Sequence, residues 1–394
     1  MKGSAVNAVD VVALGESMVT FLPGGPGRLA DVSSFDRAIG GAESNVACVL
    51  AAAGHPARWV GRVGADGFGD HLVERIAGYG VDVSSVSRDP DRPTGVYFRT
   101  AGDRGTGAHE VAYYRAGSAA SAMSPATVDL TAVRAGRVLH LTGITAALSD
   151  ECRALMHTLT APRPGRPLLS FDVNHRPALW RHPDGPLALL DLARRADIVF
   201  VGEDEAAEAW GITGGPEAIR AALPEPRVLV VKQGEKGATA FEPPDPAGGD
   251  AAGVAAEGAQ LPALTVGGRA GAGAVPERGG VPAVPGDVTG RRSTAAPVFE
   301  PALEVDVVAT TGAGDAFAAG FLSGTLRGLP LRARLRLGHL FAAATLTTPG
   351  DLAAPPTRDH ADRLTALDDT AWGRLRLAHG WTQAERATEE ANTP

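Results

Sequence analysis

Between Thr310 and Phe317 the chain reads Thr310-Thr311-Gly312-Ala313-Gly314-Asp315-Ala316-Phe317, which sets a carboxylate directly behind two glycines. Lacking Cβ, Gly312 and Gly314 can take positive φ and let a phosphate approach their amides. A helix predicted from Asp315 onward adds the positive end of its macrodipole, roughly half an elementary charge. Such a segment either holds an anion beside a base or is a turn whose Asp caps a helix.

Other residues can do chemistry of a complementary kind. Gly40-Gly41 precedes Asn45; Gly41 permits close approach of backbone to a ligand, and Asn45 offers donors and acceptors to vicinal hydroxyls. The same residues also fit a plain strand-to-helix turn. Tyr97, Tyr113, Arg115 and Arg176 are polar and hydrogen-bonding. Two arginine forks converging on one pocket match a carboxylate better than a neutral sugar, because each pairs bidentately. Against that, Arg176 can pair with Asp172, and Tyr113 or Tyr114 can simply pack. In Val230-Val231-Lys232-Gln233-Gly234-Glu235-Lys236-Gly237-Ala238, Lys232, Gly234 and Gly237 suit either a phosphate contact or a solvated turn. His140 and His175 read as structural, and His339 sits in an apolar helical run with Gly338 and Ala342.

These residues need a scaffold, and the pattern along the chain supplies one. Short β-branched runs at Val9 to Leu14, Trp59 to Val63, Val138 to Thr142, Leu168 to Val173, Ile198 to Val201 and Val228 to Val231 alternate with Ala/Leu-rich helical patterns. Strand then helix, repeated, predicts an α/β fold with a mainly parallel sheet covered on both faces. Ligands then gather beyond the carboxyl ends of the strands. Two aromatic β segments, within about 16–22 and 94–115, break this rhythm and predict a small antiparallel lid. Residues 243–297 are rich in Gly, Ala and Pro without aromatic residues, and are expected to be a disordered insertion. The tail from 366 to 394 is expected as a further surface helix or as partly disordered.

Composition excludes several classes. The 394 residues carry 37 Lys and Arg against 45 Asp and Glu, a net charge of −8, so no global positive field draws nucleic acid or an anionic membrane. Two distant cysteines, Cys48 and Cys152, read as buried thiols of a reducing, cytoplasmic compartment. A dinucleotide-binding glycine fingerprint is missing after the first strand, and neither a phosphate-binding P-loop nor a hydrolase Gly-x-Ser-x-Gly elbow occurs.

Several blocks together carry a family likeness. They are Gly40-Gly41-Ala42-Glu43-Ser44-Asn45-Val46-Ala47, Gly61-Arg62-Val63-Gly64-Ala65-Asp66-Gly67-Phe68-Gly69, Tyr113-Tyr114-Arg115-Ala116-Gly117-Ser118-Ala119-Ala120-Ser121, His140-Leu141-Thr142-Gly143-Ile144, Asp172-Val173-Asn174-His175-Arg176-Pro177-Ala178-Leu179-Trp180 and Gly312-Ala313-Gly314-Asp315. In this order the chain, over residues 9–365 except the insertion, resembles the PfkB (ribokinase-like) carbohydrate kinases, and within them the 2-keto-3-deoxygluconate kinases. The resemblance implies a three-layer α/β/α core with a β lid, ATP and Mg²⁺ as cofactors, and a homo-oligomer of two or more copies. It also implies Asp315 as base beside an anion hole of Gly312, Ala313 and Gly314. Gly41, Asn45, Tyr97, Tyr113, Arg115 and Arg176 would face the sugar. Lys232, Gly234, Gly237, Thr311 and His339 would face the nucleotide, and Glu205 would act on Mg²⁺ through water. A fructokinase or another sugar kinase of the family is the alternative; a non-catalytic sugar sensor is the alternative of another class.

Two departures stand out. Ala309 occupies a position where many relatives have Asp, which puts a monovalent-cation site in doubt. Gly202-Glu203-Asp204-Glu205 replaces an Asn-x-x-Glu pattern, keeping the acid and losing the amide.

Overall fold

The computed structural model describes residues 9–25, 27–100, 110–180, 182–243 and 296–383. The expected insertion therefore lies almost wholly outside the described residues, as does the end of the tail. Eight strands form the central sheet, in the order Val298–Pro301, Gly237–Phe241, Val228–Lys232, Ile198–Gly202, Leu168–Asp172, Gly136–Thr142, Val9–Leu14, Ala57–Val60. The last six are parallel; Gly237–Phe241 runs against them, and Val298–Pro301 pairs antiparallel with Gly237–Phe241.

The β-branched runs become central strands because both faces of this sheet are covered. Val11, Val138, Phe200 and Val230 enter one core with the helices Ala42–Ala52, Ala313–Leu326 and Leu331–Leu346. Their neighbours Val12, Leu139, Val199 and Leu229 enter the other, against Asp150–Thr160, Gly185–Arg194 and Glu203–Trp210. Each such side chain, removed from water, contributes about 1.5–3 kcal/mol before entropy is counted. The result is the expected α/β/α sandwich.

A separate four-stranded sheet forms the lid, in the order Phe35–Gly40, Met18–Pro23, Val96–Arg99, Val111–Tyr114. It is mixed and not wholly antiparallel as expected, because Met18–Pro23 and Val96–Arg99 come from distant parts of the chain and pair parallel. Phe21 stacks on Phe98 with centroids 4.7 Å apart, and Phe35 meets Phe98 edge-on. The strand Phe35–Gly40 is not anticipated by the sequence pattern; Asp36 and Arg37 are exposed on it, so it shows no apolar alternation. The expected run Trp59 to Val63 is broken at Gly61 into Ala57–Val60 and Arg62–Gly64, the latter pairing elsewhere. The described part of the segment beyond residue 366 is not one continuous surface helix. It forms the short helix Asp369–Trp372 and a two-residue strand, and it buries Trp372 under the Arg336 guanidinium, 4.8 Å from the ring centre. Both cysteines are buried free thiols.

Candidate active site

At the carboxyl ends of the parallel strands the lid and the helix Ala313–Leu326 enclose a cleft of about 540 Å³. The helix begins two residues earlier than the sequence predicts, because Gly312 takes φ 80° as its N-cap. That left-handed turn requires glycine twice over: a Cβ there would also overlap the carbonyl oxygen of Asp351. The Ala313 amide turns back to the Thr310 carbonyl at 3.4 Å. Among the described residues the amides of Gly312, Gly314 and Asp315 have no protein acceptor, so the free donors lie around Ala313 and not on it.

Asp315 stands in the first turn of this helix. Its Oδ2 accepts from the side-chain amide of Asn45 at 2.8 Å. Burial, and the nearby charges of Asp172 and Asp351, outweigh Asn45 and Lys232 and push its pKa up to about 7. A carboxyl so placed is available as a base near neutrality. Asn45, expected to face hydroxyls with its whole amide, spends its donor on Asp315 and keeps its buried oxygen unpartnered.

Opposite the helix, the Lys232 ammonium bridges both oxygens of Asp172 at 3.0 and 3.1 Å. Burial alone would lower its pKa, but Asp172, Glu205 and Asp315 raise it, so the charge is retained. A Cβ on Gly314 would lie 3.8 Å from that ammonium, so the lysine borders the glycine turn. Asn174 follows in a left-handed conformation, φ 39°, with its buried Oδ1 unpartnered. Non-glycine residues pay strain for such a geometry, which is concentrated at functional sites.

The lid supplies the third wall. Tyr97 donates to Asp351 Oδ2 at 2.8 Å, and Arg99 reaches both Asp351 Oδ1 at 2.8 Å and the Thr311 hydroxyl at 2.9 Å. Tyr113 lies against Tyr97 with centroids 5.4 Å apart. Arg115 is held by an ion pair with Glu16, whose other oxygen accepts from Ser118. Burial raises the Glu16 pKa against the pull of Arg115. Arg176 is the loosest cation: it is half exposed and only 3.9 Å from Glu205, while Asp172 is already taken by Lys232.

Not every expected residue lines the cleft. Asn45, Tyr97, Tyr113, Arg115, Arg176, Glu205, Lys232, Thr311, Gly312, Gly314 and Gly41 do. Gly41 lines the cleft and is held to glycine by packing as well, since a side chain would strike the Glu16 carbonyl. Glu205 caps its own helix by accepting from the Gly202 amide at 2.7 Å. Gly234 and Gly237 shape the turn into the antiparallel strand, outside the cleft lining. His339 is also outside it: buried against Phe317, it contacts the Glu300 carbonyl at 3.1 Å, and burial pushes its pKa down to about 4. Glu16, Arg99, Asp172, Asn174 and Asp351 are the polar lining residues that sequence reasoning did not place here. Only the Asp172-Val173-Asn174 strand end carried a readable signal for any of them.

The chain has counterparts among known proteins. The chain is 33% identical to a 2-dehydro-3-deoxygluconokinase of Bacillus subtilis (strain 168), over 89% of this chain and 94% of that one. It is 31% identical to a 2-dehydro-3-deoxygluconokinase of Thermoproteus tenax, over 92% and 96% respectively. A sugar kinase from Pyrococcus horikoshii, solved in complex with ATP, superposes with a TM-score of 0.67 at 22% identity, covering 89% of this chain and 96% of that one. The profile described as the pfkB family carbohydrate kinase matches residues 8–273 and 293–358. With a ribokinase-like sandwich, a β lid and a glycine turn ahead of Asp315, the chain belongs to the PfkB family of carbohydrate kinases.

Proposed function

We propose that the cleft transfers the terminal phosphoryl group of ATP to a hydroxyl of a small sugar acid, 2-keto-3-deoxygluconate in the first instance, to give the 6-phosphate. The observation that carries this reading is Asp315, a carboxyl with a pKa pushed up to about 7, standing beside free helix-start amides and facing the lid. Asp315 takes the proton of the attacking hydroxyl. The new O–P bond forms as the bond to ADP breaks, and the amides of Gly312 and Gly314 with Lys232 receive the charge that develops on the phosphoryl oxygens. The names of the two relatives above and the ATP complex of the Pyrococcus kinase support sugar acid and nucleotide, respectively.

Arg176 and Arg115 support an acidic substrate. Arg176 meets Glu205 only at 3.9 Å, and Arg115 can exchange Glu16 for a ligand carboxylate in a fork geometry. Among the described residues no group of three or more His, Cys, Asp or Glu converges as a metal cage. Mg²⁺ is assigned to the nucleotide's own phosphates and waters, with Glu205 in the cleft lining to act on it through water. Tyr113 and Tyr114 are exposed on the edge strand Val111–Tyr114, which supports lid-to-lid pairing in a homo-oligomer. Among the described residues no helix is long and apolar enough to cross a membrane.

The test is coupled ADP release on 2-keto-3-deoxygluconate, 2-keto-3-deoxygalactonate, fructose, ribose and adenosine. Turnover of a keto-deoxy acid above all others supports the reading; turnover of fructose alone overturns the acid assignment. Tight binding of one sugar with turnover of none would make the protein a sensor.

A further inference from the structure

A second cavity, of about 330 Å³, opens at the far end of the helix Ala313–Leu326 from Asp315. At 1.5 Å per residue the 14-residue helix separates the two by about 20 Å. The cavity lies at the amino ends of the parallel strands, where Asp10 and Arg137 sit at the starts of Val9–Leu14 and Gly136–Thr142. It cannot belong to the cleft.

Its polar lining is mainly basic: His55, Arg137, Arg327 and Arg358 against the single carboxylate of Asp10. Asp10 pairs with Arg137 at 3.1 Å and lies 3.7 Å from His55, whose other nitrogen meets the Ser323 hydroxyl at 2.8 Å. Arg327 uses one Nη on Asp362, outside the cavity lining, and its buried Nε has no partner. Arg358 is exposed and makes no hydrogen bond or ion pair among the described residues. Burial holds the His55 pKa below its ordinary value against the pull of Asp10, and the charges of Arg327 and Arg358 add smaller pushes the same way, so both guanidiniums bear on the same space. Leu337 and Phe341 are among the apolar residues of the lining.

We infer that this cavity binds a small phosphate monoester, its phosphoryl group between Arg327, Arg358 and Arg137 and its carbon skeleton against Leu337 and Phe341. Guanidinium forks match phosphoryl oxygens, and an unsatisfied buried Nε supplies a donor that already lacks a partner. The volume is within the range of small-molecule pockets and exceeds what a bare phosphate fills. The inference is independent of which sugar the cleft phosphorylates.

Calorimetric titration with glycerol 3-phosphate, inorganic phosphate and glycerol tests it, on the full chain and on Arg358→Glu and Arg137→Glu. Glutamate at the first position of the helix Arg358–Thr365 suits the helix dipole, so that variant keeps its fold, and a melting curve checks it. Glycerol 3-phosphate should bind at least tenfold more tightly than inorganic phosphate, and glycerol not at all. Each substitution should weaken it tenfold or more. Equal binding by all three proteins, no binding by the wild type, or a preference for inorganic phosphate would overturn the assignment.

Discussion

The side-chain amide of Asn45 donates to Oδ2 of Asp315 across 2.8 Å, joining residues 270 apart in sequence. The contact ties the first helix of the chain to the glycine turn, and it orients the carboxyl proposed as base. With Lys232 it offsets only part of the cost of burying the Asp315 charge.

Asp315→Asn should keep the fold and sugar binding while kcat falls by about 10²–10⁴, the usual contribution of a positioned base. Steady-state ADP release with a parallel sugar-binding titration measures both. Turnover within a few-fold of wild type would remove Asp315 from the chemistry.

The pH profile should have an acid limb set by the same residue. With the pKa pushed up to about 7, the carboxyl is protonated and inactive below that value and becomes a base above it. kcat/KM should therefore rise with unit slope through neutrality and level off above it. A plateau extending to pH 5 would show that Asp315 ionises as an ordinary carboxyl.

Arg176→Ala should discriminate between substrates by charge. The guanidinium is half exposed and weakly paired, so its loss disturbs little structure. KM for 2-keto-3-deoxygluconate should rise at least tenfold, and any residual activity on fructose should be unaltered. An equal rise for both sugars would place Arg176 outside carboxylate recognition.

Gly312→Ala should abolish activity by a different route. The residue has φ 80°, and a methyl group would overlap the Asp351 carbonyl, so the turn must shift. The strain is about 1–3 kcal/mol. Both kcat and melting temperature should fall, whereas Asp315→Asn should lower only kcat.

Glu43 predicts a pH effect on stability alone. It is fully buried, accepts from Thr142 and Thr145 at 2.8 and 2.7 Å, and leaves its second oxygen unpartnered. Burial raises its pKa from 4.5 to about 7. The folded state thus keeps a proton that the unfolded chain releases between those values, and stability falls as pH rises through that window. Glu43→Gln should flatten this slope in melting experiments from pH 4.5 to 8; an unchanged slope would mean that Glu43 is ionised throughout.

The sheet and the glycine turn were legible because their signals are local. β-Branched runs become doubly buried strands, and Gly312-Ala313-Gly314-Asp315 is one continuous segment. Arg99 and Asp351 were not legible, since neither lies in a patterned segment and they meet across 252 positions. The same is true of Arg115: its type suggested a ligand for an acid, yet nothing in the sequence announces that Glu16 already occupies it. Phe35–Gly40 escaped notice because a lid strand exposed on one edge has no need of a regular apolar face.

Asp351 has a carbonyl beneath Gly312 and a carboxylate on Tyr97 and Arg99, while Arg99 also holds Thr311. The lid strand Val96–Arg99 is therefore latched to the start of the helix by three polar contacts that must all be released if the two are to separate. Charge-assisted contacts of this kind are worth about 1.5–3 kcal/mol each. An opened lid would be a sparsely populated state, and the rate at which the latch lets go would set a ceiling on how fast any occupant of the cleft can leave.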